Sequence, residues 1–212
     1  MENKIVKLRE QSKEKSKQRL RNAVGKILIK KGISGLKVND IAATAGLDKK
    51  LIYKYFGGTE QLIEEYIATS DFWSNVAMDQ LPAKVDDGGL EVLKNLLNTQ
   101  FDSVKENMQL QKIILWGLTE KRKSLQTVAA SREASGEELL SKFMDPYFGS
   151  DALRFRAAAA IISAGLYYIN LYGGINGNTY GGVDVTSAEG RKEIKNAFAF
   201  MLELLYDAKT EK

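Results

Sequence analysis

Residues 38–56 read VNDIAATAGLDKKLIYKYF, and the fold turns on how this stretch breaks in two. The spacing predicts a short helix over Val38–Ala45 that stops at Gly46. Asp48 supplies a side-chain acceptor for the free N–H groups of a second helix, which runs to Phe56 and is broken by Gly57 and Gly58. Two short helices that cross steeply need a small residue where they touch, and Ala42 provides it. The turn between them needs a residue that tolerates positive φ, and Gly46 provides that. Ile41, Ala45, Leu47, Ile52 and Tyr55 then fall where the two helices bury their shared faces. The stretch is a helix-turn-helix.

Its second helix sorts residues by face. At 100° per residue Lys49, Lys50, Tyr53 and Lys54 lie within an arc of about 140°, with Leu51, Ile52, Tyr55 and Phe56 on the opposite side. A face of lysines and a phenol suits a helix laid in the major groove, where ammonium groups meet phosphates or guanine edges and the phenol donates to a phosphate oxygen. Charge along the chain agrees. Residues 1–60 hold 15 Lys and Arg against 6 Asp and Glu, a balance of +9, and the rest hold 16 against 21, a balance of −5. A basic head on an acidic body predicts a polyanionic partner for the head.

Outward from this motif the chain reads as helices. Leu20, Ala23, Val24, Ile27 and Leu28 form one apolar stripe on a helix over Ser12–Lys31, stopped by Gly32. A long helix runs from a cap at Thr59 to about Gln80, before Pro82. Helices follow at 90–107, 109–121 and 124–145, the last closed by Pro146 to Gly149. Ser150 caps a helix to Tyr172, and Thr186 with Glu189 has capping-box spacing for a last helix to Ala208. The expectation is an all-α fold of about nine helices without a strand. Residues 1–57 form the helix-turn-helix domain and 58–212 a helical body for effector binding and dimerisation. The segment 173–186, GGINGNTYGGVDVT, lacks the Lys-hydroxyl pair of a phosphate loop and reads as a flexible connection.

Composition narrows the chemistry. With no cysteine and no histidine there is no disulfide, no thiolate nucleophile and no imidazole base, so no catalytic residue, cofactor or metal is expected. Apolar runs stop short of a membrane span, and the first residues, MENKIVKLREQSKEKSKQ, have no apolar core of a signal peptide. The expected location is cytoplasmic. A membrane-surface role for the basic first helix is the alternative from another class, against which its stripe lacks aromatics.

The stretch GISGLKVNDIAATAGLDKKLIYKYFGGTEQLIEEYI resembles the DNA-binding head of the TetR family of bacterial regulators, over about residues 15–67. Ile41-Ala42, Gly46, Ile52 to Phe56 and Glu60-Gln61-Leu62 match that family's signature. The resemblance implies that Lys37, Asn39, Lys49, Lys50, Leu51, Tyr53, Lys54 and Thr59 contact DNA. Several of these depart from the usual residue. Lys37 stands for a hydroxyl residue, Leu51 for Thr or Ser at a base contact, and Thr59 for a phosphate-binding lysine. Thr59 with the N–H groups of its helix could still hold that phosphate.

The resemblance also implies that the last two helices pair with their copies in a homodimer, through Ala160, Ser163, Ala164, Phe198, Met201 and Leu205. Two recognition helices would then meet the half-sites of a palindromic operator about one DNA turn apart. Phe101, Met108, Ile113 and Trp116, with Phe143, Met144, Tyr147 and Tyr168, could line a pocket for a small apolar or mixed effector, although such residues at helical spacing also serve as plain core. The expected function is a dimeric regulator, a repressor released by that ligand. The alternative is a regulator answering to a protein partner or to no effector.

Overall fold

The computed structural model describes residues 2–71, 81–82 and 84–210. The helices are α1 (Glu2–Lys31), α2 (Val38–Ala45), α3 (Lys50–Phe56), α4 (Thr59–Ser70), α5 (Leu90–Glu106), α6 (Met108–Thr119), α7 (Lys123–Leu139), α8 (Asp145–Phe148), α9 (Ala152–Ile175) and α10 (Ala188–Thr210). The all-α class is as read. The reach of α4 from Asp71 to Gln80 falls almost wholly outside the described residues.

Differences from the expected elements have local causes. α1 begins at Glu2 rather than Ser12, because residues 2–11 contain no Gly or Pro and nothing stops the helix before its apolar stripe begins at Leu20. The helix expected over 124–145 passes through a π-helical turn at Leu140–Met144 into α8. Pro146 thus lies in the first turn of α8, where its missing N–H is not needed, and does not end the helix there. Ser150 does not cap α9; it lies in a 3₁₀ turn, Gly149–Asp151, that leads into it.

The expected capping box at Thr186 moves by one residue. Ser187 Oγ accepts the Gly190 N–H at 3.0 Å, while the Thr186 N–H and hydroxyl both donate to Asp184 Oδ1, at 2.9 and 2.7 Å. The glycine-rich segment also holds a small hairpin, β1 (Thr179–Tyr180) against antiparallel β2 (Val183–Asp184), where no strand was expected. Gly181 and Gly182 turn it with φ of 59° and 82°, the pair of positive values that a two-residue hairpin loop requires. Strands of two residues are too short to show alternation in a sequence.

The chain divides into two compact units, residues 1–75 with 108–131, and residues 76–107 with 132–212. In the first, α1 packs on α2, α4 and α6. Its whole predicted stripe is buried, with Leu20, Val24 and Leu28 at 1% exposure or less, joined by Ile41, Ile52, Leu62, Ile63, Ile67 and Trp116. Each such side chain contributes roughly 1.5–3 kcal/mol by leaving water. The first unit therefore takes in α4 and α6 besides the helices of residues 1–57.

In the second unit α5 packs on α9 and α10. Phe148 stacks on Phe155 with ring centroids 4.1 Å apart and Tyr147 on Tyr206 at 5.1 Å, and the Tyr206 hydroxyl donates to the Gly88 carbonyl at 2.9 Å. Burial pushes the Tyr206 phenol well above its usual pKa, with Asp87 and Tyr147 adding to the rise. Buried Asn170 ties α9 to the Phe101 carbonyl at 3.1 Å, and Arg191 of α10 donates to the same carbonyl at 3.1 Å.

α9 also corrects the expectation that apolar runs are short. The helical run 123–175 contains a stretch long and apolar enough, by length and composition, to cross a membrane. Small and apolar residues lie on both of its sides, and only one side is packed.

Candidate nucleic-acid interface

The turn between α2 and α3 is closed from both ends. Gly46 takes φ 61° and ψ 41°, the left-handed conformation in which a Cβ is costly. Its N–H donates to the Ala43 carbonyl at 3.1 Å, and the Leu47 N–H to that of Ala42 at 3.0 Å. Arg19, reaching from α1, donates through Nη2 to the Ala45 carbonyl at 2.7 Å and the Gly46 carbonyl at 3.2 Å. A charged donor on the last carbonyls of a helix satisfies acceptors that have no partner within it. Nothing in the sequence singles out Arg19, since its partners lie 26 and 27 residues away. At the start of α3, Asp48 Oδ1 accepts the Lys50 N–H at 2.7 Å, the capping role expected of it.

The two faces of α3 separate as predicted. Ile52 is fully buried, and Leu47, Leu51, Tyr55 and Phe56 pack partly against the core. Lys49, Lys50, Tyr53 and Lys54 are exposed, Tyr53 by 55%. Leu51 is thus half on the buried side. Lys37 and Asn39 stand exposed at the start of α2, and Lys49 Nζ lies 3.5 Å from Asn39 Oδ1, which brings the openings of both helices together. Thr59 is not a cap. It is the first residue of α4, Gly58 precedes it, and no side chain bonds the N–H groups of that first turn.

The start of α4 is anchored elsewhere. Glu60 accepts from Arg122 Nε at 2.9 and 3.0 Å, and Arg122 Nη2 bonds it as well. These bonds hold the Glu60 carboxyl below its ordinary pKa. Arg122 also lies 5.1 Å from the Trp116 ring, whose indole N–H donates to Glu120 at 2.6 Å. Farther along, Lys17 pairs with Glu65 at 3.2 Å, and Arg21 bridges Glu65 and Glu14.

The residues expected to line a pocket do not share one unit. Met108, Ile113 and Trp116 belong to the first, with Ile113 and Trp116 in its core and Met108 56% exposed. Phe101, Phe143, Met144, Tyr147 and Tyr168 belong to the second. There Phe101 lies under the Arg191 guanidinium at 3.9 Å, Tyr147 joins the aromatic core, and Tyr168 is 51% exposed. Gln100 was not among the expected residues. This side chain on α5 has no exposure, and neither its amide oxygen nor its nitrogen has a partner. A lone glutamine in an apolar run carries no signal that distinguishes it.

For the expected dimer surface, Ala160, Ala164 and Met201 are exposed and Ser163 and Leu205 half-buried. Phe198 is 1% exposed and faces the core of its own unit, so it is not available to a partner. Other apolar residues on these two helices are exposed, and the sequence reading named none of them for this surface. Leu153, Ile161 and Tyr168 share an arc of about 100° on α9 with Ala160 and Ala164, and Phe200 and Leu204 share one on α10 with Met201. Ile161 is 74% exposed and Phe200 59%. Helical period alone could have found them once Phe198 was known to point inward.

Comparison with known proteins bears on the head. The model of the bacterial regulatory proteins, tetR family, matches residues 25–66, from the buried half of α1 through the turn and α3 into α4. No curated protein matches the chain. The matched segment is the one that buries Ile41 and Ile52 while turning Lys50 and Tyr53 outward, and it is similar to the DNA-binding head of the tetR family of bacterial regulatory proteins.

Proposed function

We propose that this chain binds an operator of inverted-repeat sequence as a homodimer and represses transcription in the cytoplasm until a small apolar or mixed ligand releases it. Residues 1–57 serve as the DNA-binding part and 58–212 as the effector-binding and dimerisation part. The observation that carries the reading is the division of α3. A fully buried Ile52 fixes the helix, while Lys49, Lys50, Tyr53 and Lys54 stand free to enter a groove. Lys37, Asn39 and the uncapped first turn of α4 at Thr59 lie ready for phosphates, and Leu51 is left a marginal contact at the edge of the buried face. The exposed apolar faces of α9 and α10 support dimerisation, since soluble proteins rarely leave such contiguous patches to water. Gln100 supports a ligand, because a buried amide bonded at neither end is costly and a polar group entering the body relieves it.

Selection of duplexes from a random pool tests the DNA reading. An inverted repeat with half-sites about 34–36 Å apart is the expected product, and a pool with no enrichment overturns it. A compound screen read by thermal shift and by operator release tests the ligand. If no compound changes DNA affinity, control by a protein partner takes its place.

A further inference from the structure

We propose that the free N-terminal half of α1, residues 6–17, is a second DNA-contacting surface that follows the phosphates beside the groove entered by α3. This rests on the reading of the chain as a DNA-binding regulator, and it adds a contact that the helix-turn-helix does not contain.

The faces of α1 come first. Leu20, Val24 and Ile27 lie on the side of α1 that is buried in the first unit. At 100° per residue that side continues towards the N-terminus as Lys17, Lys13 and Arg9. The stripe that packs the core thus becomes basic where the core ends. Residues 6–15 are all exposed, yet they are helical. A stretch that buries nothing draws little stability from tertiary packing.

Contacts fix where this basic stripe lies. Lys17 Nζ sits 5.0 Å from the Phe56 ring and Lys13 Nζ 6.0 Å from the Tyr55 ring, both at the end of α3. Lys54, on the exposed face of α3, lies 5.9 Å from the same Tyr55 ring. Lys13 and Lys54 therefore flank one aromatic side chain, and the basic surface runs without a break from α3 onto α1. Among the described residues Lys17 and Arg21 are held in ion pairs with carboxylates, while Lys7, Arg9, Lys13 and Lys15 are not. Glu14 is drawn to Arg21 and Glu10 lies beside Arg9, so the stripe from Arg9 through Lys13 to Lys17 keeps a net positive charge that an anion along it would offset.

The shape selects the anion. From Lys17 to Arg9 the helix spans about 12 Å at 1.5 Å per residue, a straight rod and not a pocket. Duplex DNA presents one negative charge per roughly 1.7 Å of its axis, so a rod of this length meets several phosphates. An anionic membrane would need an apolar stripe opposite the charges. Val6 and Leu8 are exposed but lie two residues apart, about 200° around the helix, and make no such stripe.

The test uses the full chain and a variant, Arg9→Gln with Lys13→Gln, on one duplex with long flanks. The variant should keep its helical content and sequence preference. It should bind at least tenfold more weakly at low salt, and its slope of log K against log salt should be shallower by about 1 or more, near 0.9 for each phosphate no longer neutralised. Hydroxyl-radical protection should shrink on the flanking sugars. Lys13→Gln alone should move the slope in the same direction. Equal slopes and equal footprints for wild type and both variants overturn the proposal. So does weaker binding of the variant to phosphatidylglycerol vesicles with an unchanged DNA slope. If the wild type selects no sequence, the regulator reading fails by itself, and the slope difference on random duplex still decides for or against this surface.

Discussion

Among the described residues α1 and α9 are the two longest helices, 30 and 24 residues, and they spend their exposed surfaces in opposite ways. α1 buries one apolar stripe and turns Lys7, Arg9, Lys13 and Lys15 to water. α9 buries Phe155, Ile162 and Leu166 and still leaves Leu153, Ile161, Tyr168 and Ile175 exposed. Burial accounts for the inner face of each helix, so the outer faces are where the two differ in purpose. A charged outer face is stable in water and gains from a polyanion. An apolar outer face is costly in water and gains from another apolar surface. α10 presents Phe200, Met201 and Leu204 in the same unit, and the dimer proposed above would cover these faces with a second copy of this chain.

The largest expected effect sharpens the inner side of this contrast. Ile52→Ala should lower stability by about 2–5 kcal/mol, as truncation in a packed core does, with the loss read from chemical denaturation. Phe56→Ala should cost less, because Phe56 is only half-buried. A silent Ile52→Ala would mean that the helix-turn-helix core does not hold the head together.

The outer face of α9 and α10 comes next. Ile161→Glu or Phe200→Glu should weaken self-association by about 2–4 kcal/mol, a magnitude found at interface centres, while leaving each chain folded. Sedimentation should then show monomers that bind the operator poorly. Dimers persisting in both variants would break the comparison, because α9 would have no claim to an apolar partner.

On the polar side, Lys50→Ala and Tyr53→Ala should each weaken operator binding by about 1–3 kcal/mol, with the melting temperature almost unmoved. Gel shift beside thermal melting separates the two outcomes. If Tyr53→Ala lowers stability instead, the exposed face of α3 is structural.

The smallest effect concerns the tie at the start of α4. Arg122→Ala should cost about 0.5–1 kcal/mol at neutral pH, since the pair is partly exposed and screened by solvent. Glu60 has its pKa lowered by Arg122, so its contribution is full above the ordinary carboxylate range and is lost as pH falls through the lowered value. Stability of Arg122→Ala should therefore fall less steeply below about pH 4 than that of the wild type. Parallel acid titrations, followed by circular dichroism, measure the difference.

How far the sequence could be read varied with the range of the interactions involved. The stripe from Leu20 to Leu28, the turn at Gly46, the cap at Asp48 and the two faces of α3 depend on neighbours within a few residues, and all were legible. The cap one residue off at Thr186, the hairpin hidden between Tyr168 and α10, and Pro146 sitting inside a helix turn depend on how the chain enters and leaves each element. Period and composition do not encode that. Phe198 shows the same limit: a helix's apolar positions are visible in sequence, but which of them faces its own core is not.

By itself the sequence determined the helical class, the helix-turn-helix, the basic head and the tetR-type signature, because each is written in local spacing and charge. Only the tertiary structure decided that Arg19 closes the turn from 26 residues away, that Lys13 and Lys54 flank one tyrosine, and that Gln100 is buried without a partner. It likewise decided that α9 carries a second, unpacked apolar face. Those facts depend on which helices meet and at what rotation. That choice is made by packing complementarity over the whole unit, which no local pattern of residues can state.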